Sequence, residues 1–204
     1  MRKLLVLASL ILTACQTTGT NTGYNPNATG CGPNNCAGCC SGGVCVAGNE
    51  AFACGLGGGM CDSCDSGDVC NAYGTCVLDP ASKWTVWPVK ASIESSNNGT
   101  SWDGDGSAPD VIVSTSCPGG SVGVSEKVES YYPTFSYGGC VATAGDLLAK
   151  GITFSLKDSD LTVDDSITGN VAMAISSADL ATGSRTGTPT SGGCKSIQFQ
   201  FTRK

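Results

Sequence analysis

Residues 151–169 read GITFSLKDSDLTVDDSITG, and the change of texture inside this stretch decides the fold. The first half puts Ile152, Phe154 and Leu156 on one side and Thr153, Ser155 and Lys157 on the other, the period-2 alternation of a half-buried strand. The second half is an acidic, turn-forming loop. The same sequence of strand and polar break recurs from Lys83 to Lys204, in WTVWPVKASI (84–93), PDVIVST (109–115), NVAMAIS (170–176) and SIQFQFT (196–202). In the last of these Ile197, Phe199 and Phe201 alternate with polar neighbours. Short alternating strands separated by Gly, Asn, Asp and Pro predict a mainly β chain whose residues 83–204 form an antiparallel β-sandwich. Ala142 to Lys150 is the one helix-like stretch and is expected to lie in a connection. Trp84, Trp87 and Trp102 are expected in the core or at its edge.

Two acidic clusters, SWDGDGSAPDVIV (101–113) and LKDSDLTVDDSITG (156–169), each border a predicted strand. Pro109-Asp110-Val111-Ile112-Val113, preceded by Asp103 and Asp105, faces a second set made of Asp158-Ser159-Asp160 and Asp165-Ser166-Ile167. With KVESYYPTFSYGG (127–139), which carries Pro133 and Phe135, this arrangement resembles the C2 domain. The resemblance covers about 120 residues and implies a C2-like sandwich whose loop carboxylates Asp103, Asp105, Asp110, Asp158, Asp160 and Asp165 bind calcium. Carboxylates crowded on two loop tips repel unless a hard cation neutralises them, and calcium takes such oxygen-rich, flexible sites at about 10⁻⁴–10⁻³ M in extracellular modules. The competing reading is local: Asp, Gly and Ser form turns without any ligand. Leu161 and Val163 lie at the second loop tip, where the family inserts apolar side chains into lipid; they are candidates for contact with a lipid or protein partner.

Ten of the chain's 14 cysteines fall between Cys31 and Cys76. With almost no Leu, Ile or Phe, residues 31–79 draw their order from cross-links, and Cys31, Cys36, Cys39, Cys40, Cys45, Cys54, Cys61, Cys64, Cys70 and Cys76 are expected in disulfides. CAGCCSGGVC (36–45) recurs as CDSCDSGDVC (61–70), with Asp65 in the place of Cys40. The two copies therefore cannot carry the same bridges, and at least one link is expected to cross between them. The CxxC pairs admit zinc as an alternative. The run through Cys39-Cys40 to Cys45 also resembles hevein-type chitin-binding modules, which implies carbohydrate binding as an alternative role; the intervening SGGV has no aromatic residue for a sugar to stack on. In the later region Cys117 closes one predicted strand and Cys194 opens the last, so a Cys117–Cys194 bridge is expected, with Cys140 spare and its pairing to either left open.

MRKLLVLASLILTACQ at the N-terminus resembles a bacterial lipoprotein signal. Arg2 and Lys3 precede a short apolar run, and Leu12-Thr13-Ala14-Cys15 fits a lipobox. This implies a signal peptide over 1–14 and lipidation of Cys15 by diacylglycerol and palmitate. Gln16, where inner-membrane retention favours Asp, implies the outer membrane of the cell envelope. Residues 15–30 then form a lipidated cysteine and a flexible Thr, Asn and Gly tether. Loss of Arg2 and Lys3 takes Lys plus Arg from 11 to 9 against 17 acids, a net of −8. That sign excludes nucleic acid as a partner. The chain has no histidine, which removes the usual general base and His-ligated metals, so a non-enzymatic role is expected. The sequence predicts a lipid-anchored envelope protein whose calcium-binding sandwich presents loops to a protein or lipid. The alternatives are adhesion or carbohydrate binding through the cysteine-rich module, or a purely structural envelope protein.

Overall fold

The computed structural model describes residues 30–160 and 163–204. The predicted signal peptide, Cys15, most of the tether and Leu161 lie outside them. No helix among the described residues is long and apolar enough to cross a membrane.

The cysteine-rich segment folds as three short antiparallel hairpins: β1 (Cys39–Ser41) with β2 (Val44–Val46), β3 (Asn49–Glu50) with β4 (Ala53–Cys54), and β5 (Asp68–Cys70) with β6 (Cys76–Leu78). Apart from buried glycines, its buried residues are Cys36, Cys39, Ala53 and Cys54, so cystine sulfur takes the place of an aliphatic core. Five bridges close it: Cys31–Cys40, Cys36–Cys45, Cys39–Cys61, Cys54–Cys70 and Cys64–Cys76. Cys39–Cys61 crosses between the repeat copies, and Cys36 and its counterpart Cys61 take different partners. With every CxxC sulfur in a disulfide, no thiolate is left to hold zinc. Gly48, at φ +75°, shows how tight the packing is: a Cβ there would fall on the Gly55 carbonyl.

The second unit is a sandwich of two antiparallel sheets. One is ordered β10-β8-β12-β13 with β9 also on β8; the other is β11-β7-β15-β14. The strands are β7 (Lys83–Ile93), β8 (Asp110–Ser116), β9 (Val122–Val124), β10 (Val128–Glu129), β11 (Cys140–Thr143), β12 (Ile152–Asp158), β13 (Asp165–Met173), β14 (Ser184–Gly187) and β15 (Cys194–Arg203). Ile152, Phe154 and Leu156 of one sheet and Ile197, Phe199 and Phe201 of the other are all buried, and the Phe154 and Phe199 rings meet across the interface at 5.2 Å. Pro88 sits inside the central strand β7 without an N–H to donate; the register slips there, so that Gln198 faces Lys90 while Phe199 faces Pro88, a bulge that absorbs the missing bond. The segment after β10 leaves the first sheet and joins the second: the Tyr131 and Pro133 carbonyls accept from Ile93 and Ala91, and Phe135 N–H donates to Val89.

Three expectations are corrected. The helix α1 spans Ala144–Lys150, because Ala142 and Thr143 belong to β11 and the Thr143 side chain caps the helix N-terminus. It is not the only one: α2 (Ser177–Thr182) carries a capping box between Ser176 and Asp179 and ends on Gly183 in the left-handed region. The Cys117–Cys194 pairing also fails. Cys117 bonds Cys140, tying the end of β8 to the start of β11 across the two sheets, and Cys194 is free and buried. The reason is strand direction. Cys194 lies in register with Ile93, at the end of the sandwich where β8 begins, whereas Cys117 follows the far end of β8; seven residues of strand span roughly 20 Å, well beyond the ~7 Å Cα separation a disulfide tolerates. Burial pushes the Cys194 thiol up to about 11.

The two units touch through Arg203. Its guanidinium donates to the Ser66 carbonyl at 2.9 Å and to the Gly67 carbonyl, stands 3.9 Å from Asp68, and lies over the Trp84 ring at 5.8 Å. Gly67, at φ +85°, has no room for a Cβ beside it. The linker is pinned as well, since the Pro80 and Ser82 carbonyls accept from Gly145 and Ala144 at the start of α1.

Alkylation before and after denaturation, followed by peptide mapping, is expected to find Cys194 protected in the native protein and reactive once unfolded, with Cys117 and Cys140 recovered as one cross-linked pair. Arg203→Ala removes charge-assisted bonds worth about 1.5–3 kcal/mol and is expected to speed amide exchange across residues 66–68 while β7 and β12 exchange slows or speeds little. Arg203→Lys, a point donor in place of a fork, should rescue only in part.

Candidate metal centre at the acidic end of the sandwich

β8 and β12 run side by side, with Asp158 opposite Val111, so the loop entering β8 and the loop leaving β12 emerge together. Two bonds lock this corner: Ser159 N–H donates to the Asp110 carbonyl at 2.9 Å, and Asp110 N–H donates to Asp158 Oδ1 at 2.6 Å. Trp102 anchors the first loop. Its buried ring packs against Gly193, and its Nε1 donates to the Glu94 carbonyl at 2.8 Å, which fixes Asp103 next in sequence over the end of β12.

One carboxylate oxygen each from Asp103, Asp158 and Asp160 lies within 4.8 Å of the others. Two ligands on opposite sides of one calcium are separated by at most about 4.6–5.2 Å, twice the 2.3–2.6 Å bond length, so the three fit a single ion. Asp103 and Asp160 line an open cavity of about 470 Å³ together with Trp102, Asp110, Lys127 and Glu129, while Asp158 is buried.

The remaining predicted ligands do something else. Asp105 stands on the cavity wall but turns its carboxylate onto Ser107 N–H and Oγ, at 3.0 and 2.7 Å; the side-chain and backbone bonds from Ser107 hold its pKa below the usual value. It is the local turn former that the competing reading of these loops described. Asp165 opens β13 opposite Asp158, outside the group of three, and acts on Asp160 through its charge. Asp110 gives its backbone to Asp158, while its carboxylate sits 2.6 Å from Lys127 Nζ.

The electrostatics separate the rim from the centre. Lys127 neutralises Asp110, and its own pKa is raised by that bond first. Lys157 pairs with Asp164 and lowers it. Asp103, Asp158 and Asp160 have no cationic partner among the described residues. Asp158 is fully buried, and desolvation, set against the bond from Asp110 N–H and reinforced by the charges of Asp103, Asp160 and Asp110, raises it to about 6. Its second oxygen, Oδ2, is buried with no hydrogen-bond partner. Asp160 is raised too, by partial desolvation, by its hydrogen bond with Asp103, and then by its acidic neighbours. A buried acceptor left unpaired costs free energy, and a cation at this point would satisfy it.

Sequence reasoning missed Lys127 and the anchoring role of Trp102. Lys127 is 17 positions from Asp110, and only the pairing of β10 with the start of β8, Glu129 opposite Asp110, brings them together.

No family model matches the sequence, and no curated protein matches it. Among solved structures the chain is similar to one of a C2 domain, at 12% identity over 59% of this chain and 98% of that one, with a TM-score of 0.39.

Asp158→Asn keeps an acceptor for Asp110 N–H and removes the strained charge. With a folded pKa near 6 against about 3.9 unfolded, Asp158 costs stability that is absent below pH 4 and fully developed above pH 6, by about 3 kcal/mol. Urea unfolding in chelator is expected to show Asp158→Asn more stable than wild type at pH 7.5, the gap closing by pH 4.

Proposed function

We propose that this chain is a lipid-anchored, non-enzymatic protein of the bacterial cell envelope, whose sandwich binds calcium through Asp103, Asp158 and Asp160 and presents the adjoining loops to a protein or lipid partner. Two observations carry the calcium reading: a carboxylate oxygen of Asp158 lies within one ion's span of two other uncompensated carboxylates, and Asp158 Oδ2 is buried and unpartnered. The chemistry of the set agrees: three carboxylates beside an open cavity suit a hard cation that completes its shell with water, carbonyls or a partner's oxygens. The same openness supports recruitment. Three protein carboxylates are too few for the six to eight oxygens calcium takes, and the missing ligands would come from solvent or from what docks there. Val163, 73% exposed beside the site, offers an apolar contact; Leu161 lies outside the described residues.

The lipobox at Cys15 supports the anchor, and the disulfide-dense module supports an oxidising compartment outside the cytoplasm. Multiple acyl chains hold a protein at a membrane without help from its folded part, which leaves the acidic end free for another contact.

Calcium at a hundredfold excess over its Kd adds about 2.7 kcal/mol, enough to raise the thermal midpoint by several degrees. In about 10 mM calcium, ten- to a hundredfold over a Kd of about 10⁻⁴–10⁻³ M, the oxidised protein is expected to show between half and the whole of that rise relative to chelator, and an Asp103→Asn/Asp160→Asn variant to lose it. An unchanged midpoint in the wild type would reduce these carboxylates to loop formers.

A further inference from the structure

We infer that Lys127 is a tethered counter-cation that competes with calcium for Asp110, so that the ammonium group sets the affinity of the site. The inference rests on the calcium reading and deepens it. Asp110 lies at the start of β8, its N–H on Asp158 and its Oδ2 on Lys127 Nζ at 2.6 Å. Lys127 lines the same cavity as Asp103, Asp110 and Asp160. The pairing Glu129–Asp110 and Val128–Val111, together with the bond from Ser130 N–H to the Pro109 carbonyl, holds the lysine's backbone against the loop that enters β8. The ammonium is thus kept at the site by two strands and needs no fortuitous surface contact.

Asp110 adjoins an acidic cluster that contains a buried, unpartnered carboxylate oxygen, Asp158 Oδ2, independent of the cluster's mere acidity. An ion bound to Asp103, Asp158 and Asp160 would have Asp110 as its natural next ligand, and calcium affinity grows with the number of charged ligands. While Lys127 holds Asp110, that ligand is engaged and a positive charge stands beside the ion. Calcium binding with Asp110 therefore requires the ammonium to leave. The lysine side chain is half-exposed, so it can swing into water without disturbing the core. The pair keeps the loop ordered in the absence of metal and weakens the site for calcium.

The test is calorimetric titration of the full, oxidised chain with calcium chloride, comparing wild type, Lys127→Gln and Lys127→Arg, with circular dichroism to verify the fold of each. Removing the charge is expected to tighten binding by about fivefold, the scale of a partly exposed ion pair, while Lys127→Arg stays within about twofold of wild type. In chelator, Lys127→Gln should have the lower thermal midpoint, so its calcium-induced rise is the larger of the two. Binding by Lys127→Gln where the wild type shows none would support the inference in its strongest form. Calcium bound equally or more weakly by Lys127→Gln, with the wild type binding, would overturn the competition and leave the calcium site standing. No heat in any of the three proteins up to several millimolar would overturn the calcium reading itself, and this inference with it.

Discussion

Everything at the acidic end depends on where β12 stops. Phe154 and Phe199 lock the two sheets face to face, and the alternation that buries Ile152, Phe154 and Leu156 also carries Asp158 inward, two residues on from Leu156. A carboxylate is therefore placed on the core face of a sheet, where water cannot reach it. The fold satisfies one of its oxygens with Asp110 N–H and leaves the other unpaired. Such a group persists only where its surroundings over-determine it, and the surroundings here are strand pairing on both sides of β12. An asparagine would remove the buried charge and still accept from Asp110 N–H. An aspartate stands there instead, with carboxylate oxygens of two more within 4.8 Å of its own.

The sequence makes the strands legible because burial on one face forces a period of two, and that pattern survives in Ile197-Phe199-Phe201 as clearly as in β12. It makes the disulfide module legible because cysteine density has few other causes in a chain with so little to bury. It fails where geometry depends on which end of a strand is meant. Cys117 and Cys194 both flank strands, and nothing local says that they lie at opposite ends of the sandwich; only the antiparallel order of β7, β8 and β15 does. The helix α2 was readable from Ser176, Asp179 and Gly183, but its six residues carry too little periodicity to stand out beside the strands.

The acidic site was legible as composition and illegible as geometry. Seven aspartates share two acidic stretches, yet Asp105 is used up by Ser107 two residues away, a local bond as cheap in an isolated turn as in a folded protein. Asp103 differs because Trp102 is buried beside it: the anchor of the neighbour, rather than the aspartate's own sequence context, aims the side chain. Lys127 was invisible for the converse reason. An isolated lysine in a polar segment has no pattern, and its meaning comes wholly from the two-residue pairing of β10 with β8.

Two ways of settling excess negative charge thus coexist in one corner of the molecule. At the rim, Lys127 and Lys157 each neutralise a single carboxylate on an accessible side chain, a weak arrangement that water and salt readily loosen. At the centre no lysine or arginine among the described residues pairs with Asp103, Asp158 or Asp160, and an ammonium brought beside buried Asp158 would have to shed its own hydration. A small divalent ion meets the requirement better: it brings two charges in one atom, accepts an open and variable oxygen shell, and can carry its remaining waters out into the cavity. The lysines at the rim lower the repulsion among the loop carboxylates. The centre retains its charge, with no cationic partner among the described residues.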